Sequence, residues 1–143
     1  MIRTDYYDKT YENFTYNKNG ALIEVENQYG KVKFERDSLG RITKEWQGRH
    51  WISNQYDELG NCIQTVSSFG ANILTSRNEM GQATQVAAYL DKEKPWVSRM
   101  EYNALGQETQ RLFSNNICSA WDYDKAGRPI FHEVSNQRSK ADA

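Results

Sequence analysis

A five-residue block recurs six times along this chain. Each copy begins with Tyr or Arg, continues with Asp or Asn, and ends with Gly. The closing glycines are spaced 20, 20, 21, 25 and 21 residues apart. Regular spacing of this kind indicates an array of one small structural unit. The first positions are Tyr16, Arg36, Tyr56, Arg77, Tyr102 and Tyr123; the second are Asn17, Asp37, Asp57, Asn78, Asn103 and Asp124; the last are Gly20, Gly40, Gly60, Gly81, Gly106 and Gly127.

The composition of the block predicts a tight β-hairpin turn. An Asp or Asn side chain can accept a hydrogen bond from the backbone two residues further on. The two following positions vary, which a type I turn tolerates. Gly at the end supplies the left-handed backbone of a three-residue hairpin loop with a G1 bulge. We therefore expect six hairpins of one type.

A second turn is predicted near the middle of each repeat. Gly30, Gly48 and Gly70 each follow a motif glycine by eight to ten residues. In the later repeats this turn changes chemistry, to the longer polar stretch 91–95 (DKEKP) and to the Asn-rich stretch 114–116 (SNN). Each repeat is thus predicted to be an out-and-back pair of strands.

The residues between turns alternate with a period of two, as expected of strands. The sequence predicts an all-β fold, an antiparallel meander of about 12 strands that curls through its own twist. Residues 1–143 are expected to form one repeat domain, with a polar tail at 136–143. One face is predicted to be apolar and aromatic and the other wet. The apolar face would carry Phe14, Phe34, Asn54, Thr75, Met100 and Trp121, with Val32, Ile52 and Ile73.

Charge and composition exclude several classes of function. The chain has 18 basic and 19 acidic residues, so it has no excess of positive charge to attract nucleic acid. It contains no apolar run of the ~20 residues that a membrane span needs, and no signal peptide is visible at its start. Cys62 and Cys118 are read as reduced thiols, although a disulfide stays open as an alternative.

No motif in the chain predicts a cofactor or a metal. Each repeated turn offers one carboxylate or amide, whereas Ca²⁺ needs six or more oxygen ligands. His50 and His132 are the candidate catalytic pair, but no nucleophile has a recognisable motif around it. We therefore expect no enzymatic activity. Trp46 and Trp121 are expected to pack between strands, and Trp96, beside Pro95, is the candidate partner contact.

At the repeated block the chain resembles the rearrangement-hotspot (RHS), or YD-repeat, family, whose hallmark is Tyr-Asp-x-x-Gly at intervals of about 20 residues. The segments 56–61 (YDELGN) and 123–128 (YDKAGR) match it best, and 36–41 (RDSLGR) differs only in its first residue. The resemblance implies a β-strip that winds into a hollow shell, as in bacterial polymorphic toxins, where the shell encloses a toxic domain. Six repeats are fewer than a closed shell needs, which implies a piece of a shell or a small relative.

Three functional interpretations follow. The first is a non-catalytic shell segment, located in the bacterial cytoplasm or exported within a larger toxin. The second is a free-standing protein-binding module, such as an immunity-type or adhesion protein that docks through its sheet. The third, the least favoured, is an enzyme that uses one of its two histidines. Under the first two, the partners are proteins: further repeats, a toxin domain, or a second copy in a homo-oligomer.

Overall fold

The computed structural model describes residues 1–90 and 94–137. In this part of the chain every regular element is a β-strand, and the strands follow one another in chain order as one antiparallel meander, which confirms the predicted fold class. No helix in the described residues is long and apolar enough to cross a membrane. The strands are β1 Ile2–Asp5, β2 Tyr11–Tyr16, β3 Leu22–Asn27, β4 Gly30–Arg36, β5 Ile42–Gln47, β6 His50–Tyr56, β7 Cys62–Ser67, β8 Ala71–Arg77, β9 Ala83–Leu90, β10 Trp96–Tyr102, β11 Glu108–Phe113, β12 Ile117–Tyr123 and β13 Pro129–Asn136.

The strand count is thirteen rather than twelve because β1 precedes the first repeated block. A hairpin turn joins β1 to β2, in which the amide of Lys9 donates to the carbonyl of Tyr6 at 3.0 Å. Lys9 takes the left-handed backbone (φ 68°) that glycine takes elsewhere. This turn carries no glycine, so nothing in its residues indicated it. The first edge of the sheet is therefore Ile2–Asp5.

The chain divides into two compact units, Met1–Ala71 and Asn72–Ala143. In the first unit, cross-strand pairing places Phe14, Val25 and Val32 on one face, as predicted. On the same face, however, Glu45 stands between Phe34 and Ile52.

The opposite face of the first unit is not simply wet, which corrects the expectation. Trp46 and Trp51 pair directly across β5 and β6 on that face, with ring centroids 6.3 Å apart. The ammonium group of Lys44 lies 4.2 Å and 4.3 Å from the two ring centroids. The face combines aromatic rings with charges because the long lysine side chain covers the rings.

The second unit contains the most buried residues of the described chain. Ala87, Met100 and Cys118 are buried, with exposed fractions of 4%, 7% and 2%. The buried hydroxyl of Ser98 donates to the sulfur of Met100 at 3.5 Å. No large side chain in the described residues is completely buried. Stability must therefore come largely from the strand ladders and the turns that join them.

Candidate functional site

The six repeated blocks form six turns of one geometry. In each, the Gly amide donates to the carbonyl of the Asp or Asn three residues earlier, at 2.9–3.1 Å. The amide of that Asp or Asn donates to the carbonyl of the residue after Gly, at 2.9–3.0 Å. The glycines all have positive φ, between 77° and 88°. This is the predicted three-residue hairpin loop with a G1 bulge.

The Asp or Asn side chain caps its own turn. In the second block, Oδ1 of Asp37 accepts from the amides of Leu39 and Arg41, both at 3.0 Å. The same two bonds, to the residues two and four positions on, recur around Asn17, Asn78, Asn103 and Asp124. One side-chain oxygen thus satisfies two loop amides that would otherwise lack a partner within the turn.

These bonds lower the pKa of the turn carboxylates. For Asp37 the main cause is the side-chain bond from Arg41, and for Asp57 it is the side-chain bond from Asn61. For Asp124 it is the backbone bond from Arg128, followed by the side-chain bond from the same residue. In every case the hydrogen bonds favour the charged form.

In five of the six blocks the residue after Gly pairs with the capping residue, and the two are matched as donor and acceptor; in the first block Ala21 follows Gly20 and makes no such pair. Asp37 accepts from Nε of Arg41 at 2.6 Å. Where the cap is Asn, its amide is the donor instead: Nδ2 of Asn78 donates to Oε1 of Gln82 at 2.9 Å. Aspartate caps are therefore paired with Arg or Asn, and asparagine caps with Gln. The further pairs are Asp57–Asn61, Asn103–Gln107 and Asp124–Arg128.

In four of the six blocks, the Tyr or Arg that opens the block donates a hydrogen bond to the preceding repeat. The hydroxyl of Tyr56 donates to the carbonyl of Ile42, two residues after Gly40, at 2.8 Å. Nε of Arg36 donates to the corresponding carbonyl, that of Leu22, at 3.1 Å. In the second unit, Tyr102 and Tyr123 donate to Ala83 and Glu108 at 2.8 Å and 2.7 Å.

This shared bond explains why Tyr and Arg exchange at the first position. Arg36 also lies over a neighbouring aromatic ring, that of Phe34, with its guanidinium carbon 5.8 Å from the centroid. The property common to both residue types is different, since each carries a donor on a long arm that reaches the same carbonyl. Arg36 and Arg77 also donate from Nη1 to the glycine carbonyl of their own block, at 2.8 Å.

The residue after Gly makes a second connection between repeats. Nη1 of Arg41 donates to the carbonyl of Asp57 in the next turn, at 3.1 Å. Nε2 of Gln82 donates to the carbonyl of Gly106 at 2.8 Å, and Nε2 of Gln107 to that of Gly127 at 3.2 Å. We call the six blocks, the residues that follow their glycines and these cross-repeat bonds the turn ladder. Sequence analysis missed the role of the residue after Gly, although the matching of Asp with Arg or Asn, and of Asn with Gln, is visible in the sequence.

The mid-repeat turns differ from one another. Gly48 and Gly70 have positive φ, 61° and 89°, whereas Gly30 is the first residue of β4 and has no positive φ. Asn27 caps that turn by accepting from the amides of Tyr29 and Gly30. Asn116 takes the left-handed position of its turn at φ 62°. Residues 91–93 of the predicted polar loop, like 138–143 of the predicted tail, lie outside the described residues.

The remaining candidate residues are placed as follows. Trp96 is the first residue of β10, is 49% exposed, and tilts against Phe113 at 5.7 Å between centroids. His50 stacks on Phe69 at 4.4 Å in the first unit. His132 stacks on Trp121 at 4.9 Å in the second. Each histidine is thus engaged with a neighbouring aromatic ring.

The cysteines and possible metal ligands add no site. The sulfur of Cys62 lies 3.6 Å from the hydroxyl of Thr65, and the buried sulfur of Cys118 accepts from Nε2 of Gln110 at 3.0 Å. Both residues carry thiols rather than a disulfide. Within residues 1–90 and 94–137, no three His, Cys, Asp or Glu side chains come together as a metal site.

Solved structures share this fold. No family model and no curated protein matches the sequence. The Photorhabdus luminescens Tc holotoxin pore, with a mutation in TccC3, matches 90% of this chain with a TM-score of 0.78 and 14% identity. The crystal structures of TcdB2-TccC3 and of TcdB2-TccC3-Cdc42 each match 92% of it at 12% identity, with TM-scores of 0.70 and 0.68. The chain covers only 8–10% of the length of these matched chains. What is shared is the architecture of repeated antiparallel hairpins.

Proposed function

We propose that this chain is a non-catalytic structural module: a stretch of RHS-type β-strip that forms part of the wall around a toxin domain in a bacterial toxin. The observation that carries the proposal is the turn ladder. Within each unit, neighbouring repeats are bonded through side chains that contact backbone carbonyls, and such a connection can be repeated along a strip of any length. The fold shared with Tc toxin structures supports the same assignment.

The hydrogen bonds of the motif residues support a structural rather than a catalytic role. Their polar groups are engaged within the ladder: the hydroxyl of Tyr56 with a backbone carbonyl, and the carboxylate of Asp57 with the amide and side chain of Asn61. A catalytic group must instead be within reach of a bound substrate. Residues used in this way hold the strip together and leave its faces and edges for partners. The partners we propose are further repeats, the enclosed toxin domain, or a second copy of the chain, with Trp96 as a contact residue.

The test uses the native gene product in its natural length. We expect its coding region to contain further Tyr-Asp-x-x-Gly repeats in frame, and electron microscopy of the purified product to show a hollow particle. A protease should spare the enclosed segment in the wild-type product. It should degrade that segment in Gly60→Val, a variant in which a turn of the wall is destabilised. A product without further repeats, or one whose segments are all equally accessible to protease, would contradict the shell assignment.

A second candidate function is a free-standing protein-binding module. It is favoured by a specific observation: several large apolar side chains at the turn tips are more than two-thirds exposed, among them Tyr29, Leu59 and Phe69. Leu59 lies at one edge of the first unit and Tyr29 and Phe69 lie at the other, and large exposed apolar groups are typical of interaction surfaces. An independent gene next to a toxin gene, whose product binds that toxin in a pull-down with purified components, would establish this alternative.

A further inference from the structure

The ladder edge of the first unit presents leucines to solvent. Leu39 and Leu59 occupy the third position of their turn loops and are 75% and 78% exposed. Position three was expected to vary freely, yet large apolar residues recur there. Their turns lie two strands apart, between β4 and β5 and between β6 and β7. With about 4.8 Å between strands, the two tips are separated by roughly 10 Å.

The opposite edge of the same unit carries two recesses. One is a cavity of about 150 Å³ lined by Gln47, His50, Ile52 and Phe69, with Glu45 at its wall. The other is a shallower groove at the neighbouring hairpin. Its lining residues include Val25, Tyr29, Val32, Gln47 and Gly48. We call the two recesses together the mid-edge notch.

The shape of the notch follows from the unequal turns around it. Tyr29 and Phe69 project from the two outer turns and are 86% and 70% exposed. The turn between them contains Gly48, which has no side chain to fill the space. The result is a depression flanked by two aromatic rings. Its lining is mostly apolar, with Val25, Val32 and Ile52, and also includes the charged side chains of Lys31 and Glu45. Such a setting suits an apolar side chain that has a charged neighbour.

The spacing of the recesses matches the spacing of the leucines. The groove is centred on β4 and the cavity on β6, so they are two strands apart, as are the leucine tips. Along the chain the groove comes before the cavity, as Leu39 comes before Leu59. Two copies placed in the same direction, ladder edge against notch, would therefore bring both leucines to recesses at once.

The charges beside the two surfaces are complementary in this arrangement. Glu58 precedes Leu59 at the tip, and Arg49 adjoins the cavity with its Nε 3.5 Å from Nε2 of His50. Neither residue takes part in an ion pair within the described part of the chain. Opposite charges at the rim of an apolar contact favour one orientation and one partner.

We propose that the ladder edge of one copy docks in the mid-edge notch of another, with Leu59 in the cavity, Leu39 in the groove and Glu58 against Arg49. The partner is a second copy of this chain. The contact is heterologous, because different surfaces meet, so it can continue from copy to copy. The inference rests on the proposed structural role, and it names the edges through which strips would pack.

Sedimentation velocity of the full chain over a hundredfold range of concentration tests the proposal. The wild-type chain should associate. Leu59→Glu should raise the dissociation constant at least about tenfold, because a charge would enter an apolar recess. Tyr7→Glu is the control for general stickiness, since Tyr7 is fully exposed and lies outside both surfaces. It should leave association unchanged.

A charge-reversal experiment tests whether Glu58 of one copy contacts Arg49 of the other. Glu58→Arg and Arg49→Glu should each weaken association, and an equimolar mixture of the two variants should restore it, because each tip then meets a notch of opposite charge. A chain that stays monomeric throughout, or an association that Leu59→Glu and the charge reversals leave unchanged, overturns the proposal. Circular dichroism of the wild type and the variants separates this result from the proposed function, since a correctly folded β-chain that does not associate, or whose association the variants leave unchanged, refutes only the contact.

Discussion

The two edges of the first unit are built differently although the same strands form both. At the ladder edge the turns share one loop length, one cap and one glycine conformation. At the opposite edge the turns around Tyr29, Gly48 and Phe69 differ in loop residues, in backbone conformation and in exposed side chains. Along the ladder edge the cross-repeat bonds follow one pattern, whereas those at the opposite edge differ from turn to turn. There Oε1 of Gln28 accepts from the amide of Tyr11 at 3.3 Å, and Oγ of Ser68 accepts from the amide of Trp51 at 3.1 Å.

The comparison indicates that the turns stay alike where one side chain in each turn has to make two contacts, one within its own turn and one with the next turn. Arg41 must match its own cap, Asp37, and also reach the carbonyl of Asp57 in the next turn. Few side chains meet both requirements. In the described turns of the opposite edge this double contact does not recur, so their exposed side chains can serve recognition. Substitutions should therefore cost more stability at the ladder edge than at the other.

Glycine replacement should give the largest contrast. Gly60 has φ 88°, so Gly60→Val should destabilise the chain by about 1–3 kcal/mol, because a β-branched residue is strained there. Gly30 has no positive φ and nothing within 4 Å of an added Cβ, so Gly30→Val should change the unfolding free energy much less. Urea denaturation followed by circular dichroism measures both.

Gly60→Asn provides the internal control for this prediction. Asn enters the left-handed region more readily than Val, so it should cost less at the same position. Equal losses for Val and Asn would mean that bulk, rather than backbone conformation, sets the cost.

Two ladder glycines should also differ from each other. An alanine at Gly40 would meet no atom within 4 Å, whereas at Gly106 its Cβ would lie 3.1 Å from Nε2 of Gln82. Both changes incur the strain of positive φ. Gly106→Ala should cost up to about a further 1 kcal/mol, because Gln82 must shift by a few tenths of an ångström and its bond to the Gly106 carbonyl is weakened. In the background of Gln82→Ala that extra cost should disappear.

Removing a single hydroxyl tests the bond between repeats. Tyr56→Phe deletes the donor to the Ile42 carbonyl and should cost about 0.5–1.5 kcal/mol. Tyr16→Phe is the matched control, since Tyr16 belongs to the first block and is 42% exposed. Comparable losses at the two positions would show that the hydroxyl contributes through something other than the link to a preceding repeat.

These contrasts also show what sequence could and could not predict. Turn type followed from local chemistry, since Asp or Asn at the start and Gly at the end define one hairpin loop, and all six loops have it. The bonds of Tyr56 and Arg41 to other repeats depend on how neighbouring hairpins align, which periodicity does not specify. Trp46 and Trp51 lie on the charged face because Lys44 covers their rings. The alternation of polar and apolar residues predicts only that this face is exposed to water, so it missed the two rings.

Exchange of the donor and the acceptor in one cap pair tests whether their matching contributes to the stability of the turn ladder. Asp37→Asn places an amide opposite the guanidinium of Arg41, and two donors then face each other. Arg41→Gln alone leaves the carboxylate of Asp37 with a weaker donor. The double variant recreates the Asn78–Gln82 pair and should be more stable than the sum of the two single effects predicts. A double-mutant cycle by urea denaturation measures the coupling, and additive losses would remove donor–acceptor matching as the explanation.

The smallest expected effect is the response of the ladder edge to acid. The pKa values of Asp37, Asp57 and Asp124 are lowered in the folded chain, so protonation favours the unfolded state. Their contribution to stability is complete above the unfolded value of about 3.9 and is lost as pH falls through the folded values. Asp8 and Glu24, whose pKa values are also lowered, act in the same direction.

Urea midpoints measured from pH 7 to pH 2.5 should therefore fall below about pH 4. Asp57→Asn should make that fall shallower, because asparagine can still cap the turn through Oδ1. The side-chain carboxamide of Asn61 can flip so that its Oδ1 accepts from Nδ2 of the new side chain. Glu58→Gln, one residue further along the same loop, removes an exposed carboxylate that takes no part in the cap. It should leave the slope close to that of the wild type. If Glu58→Gln abolished the acid response as fully as Asp57→Asn, net charge rather than turn capping would govern stability in acid.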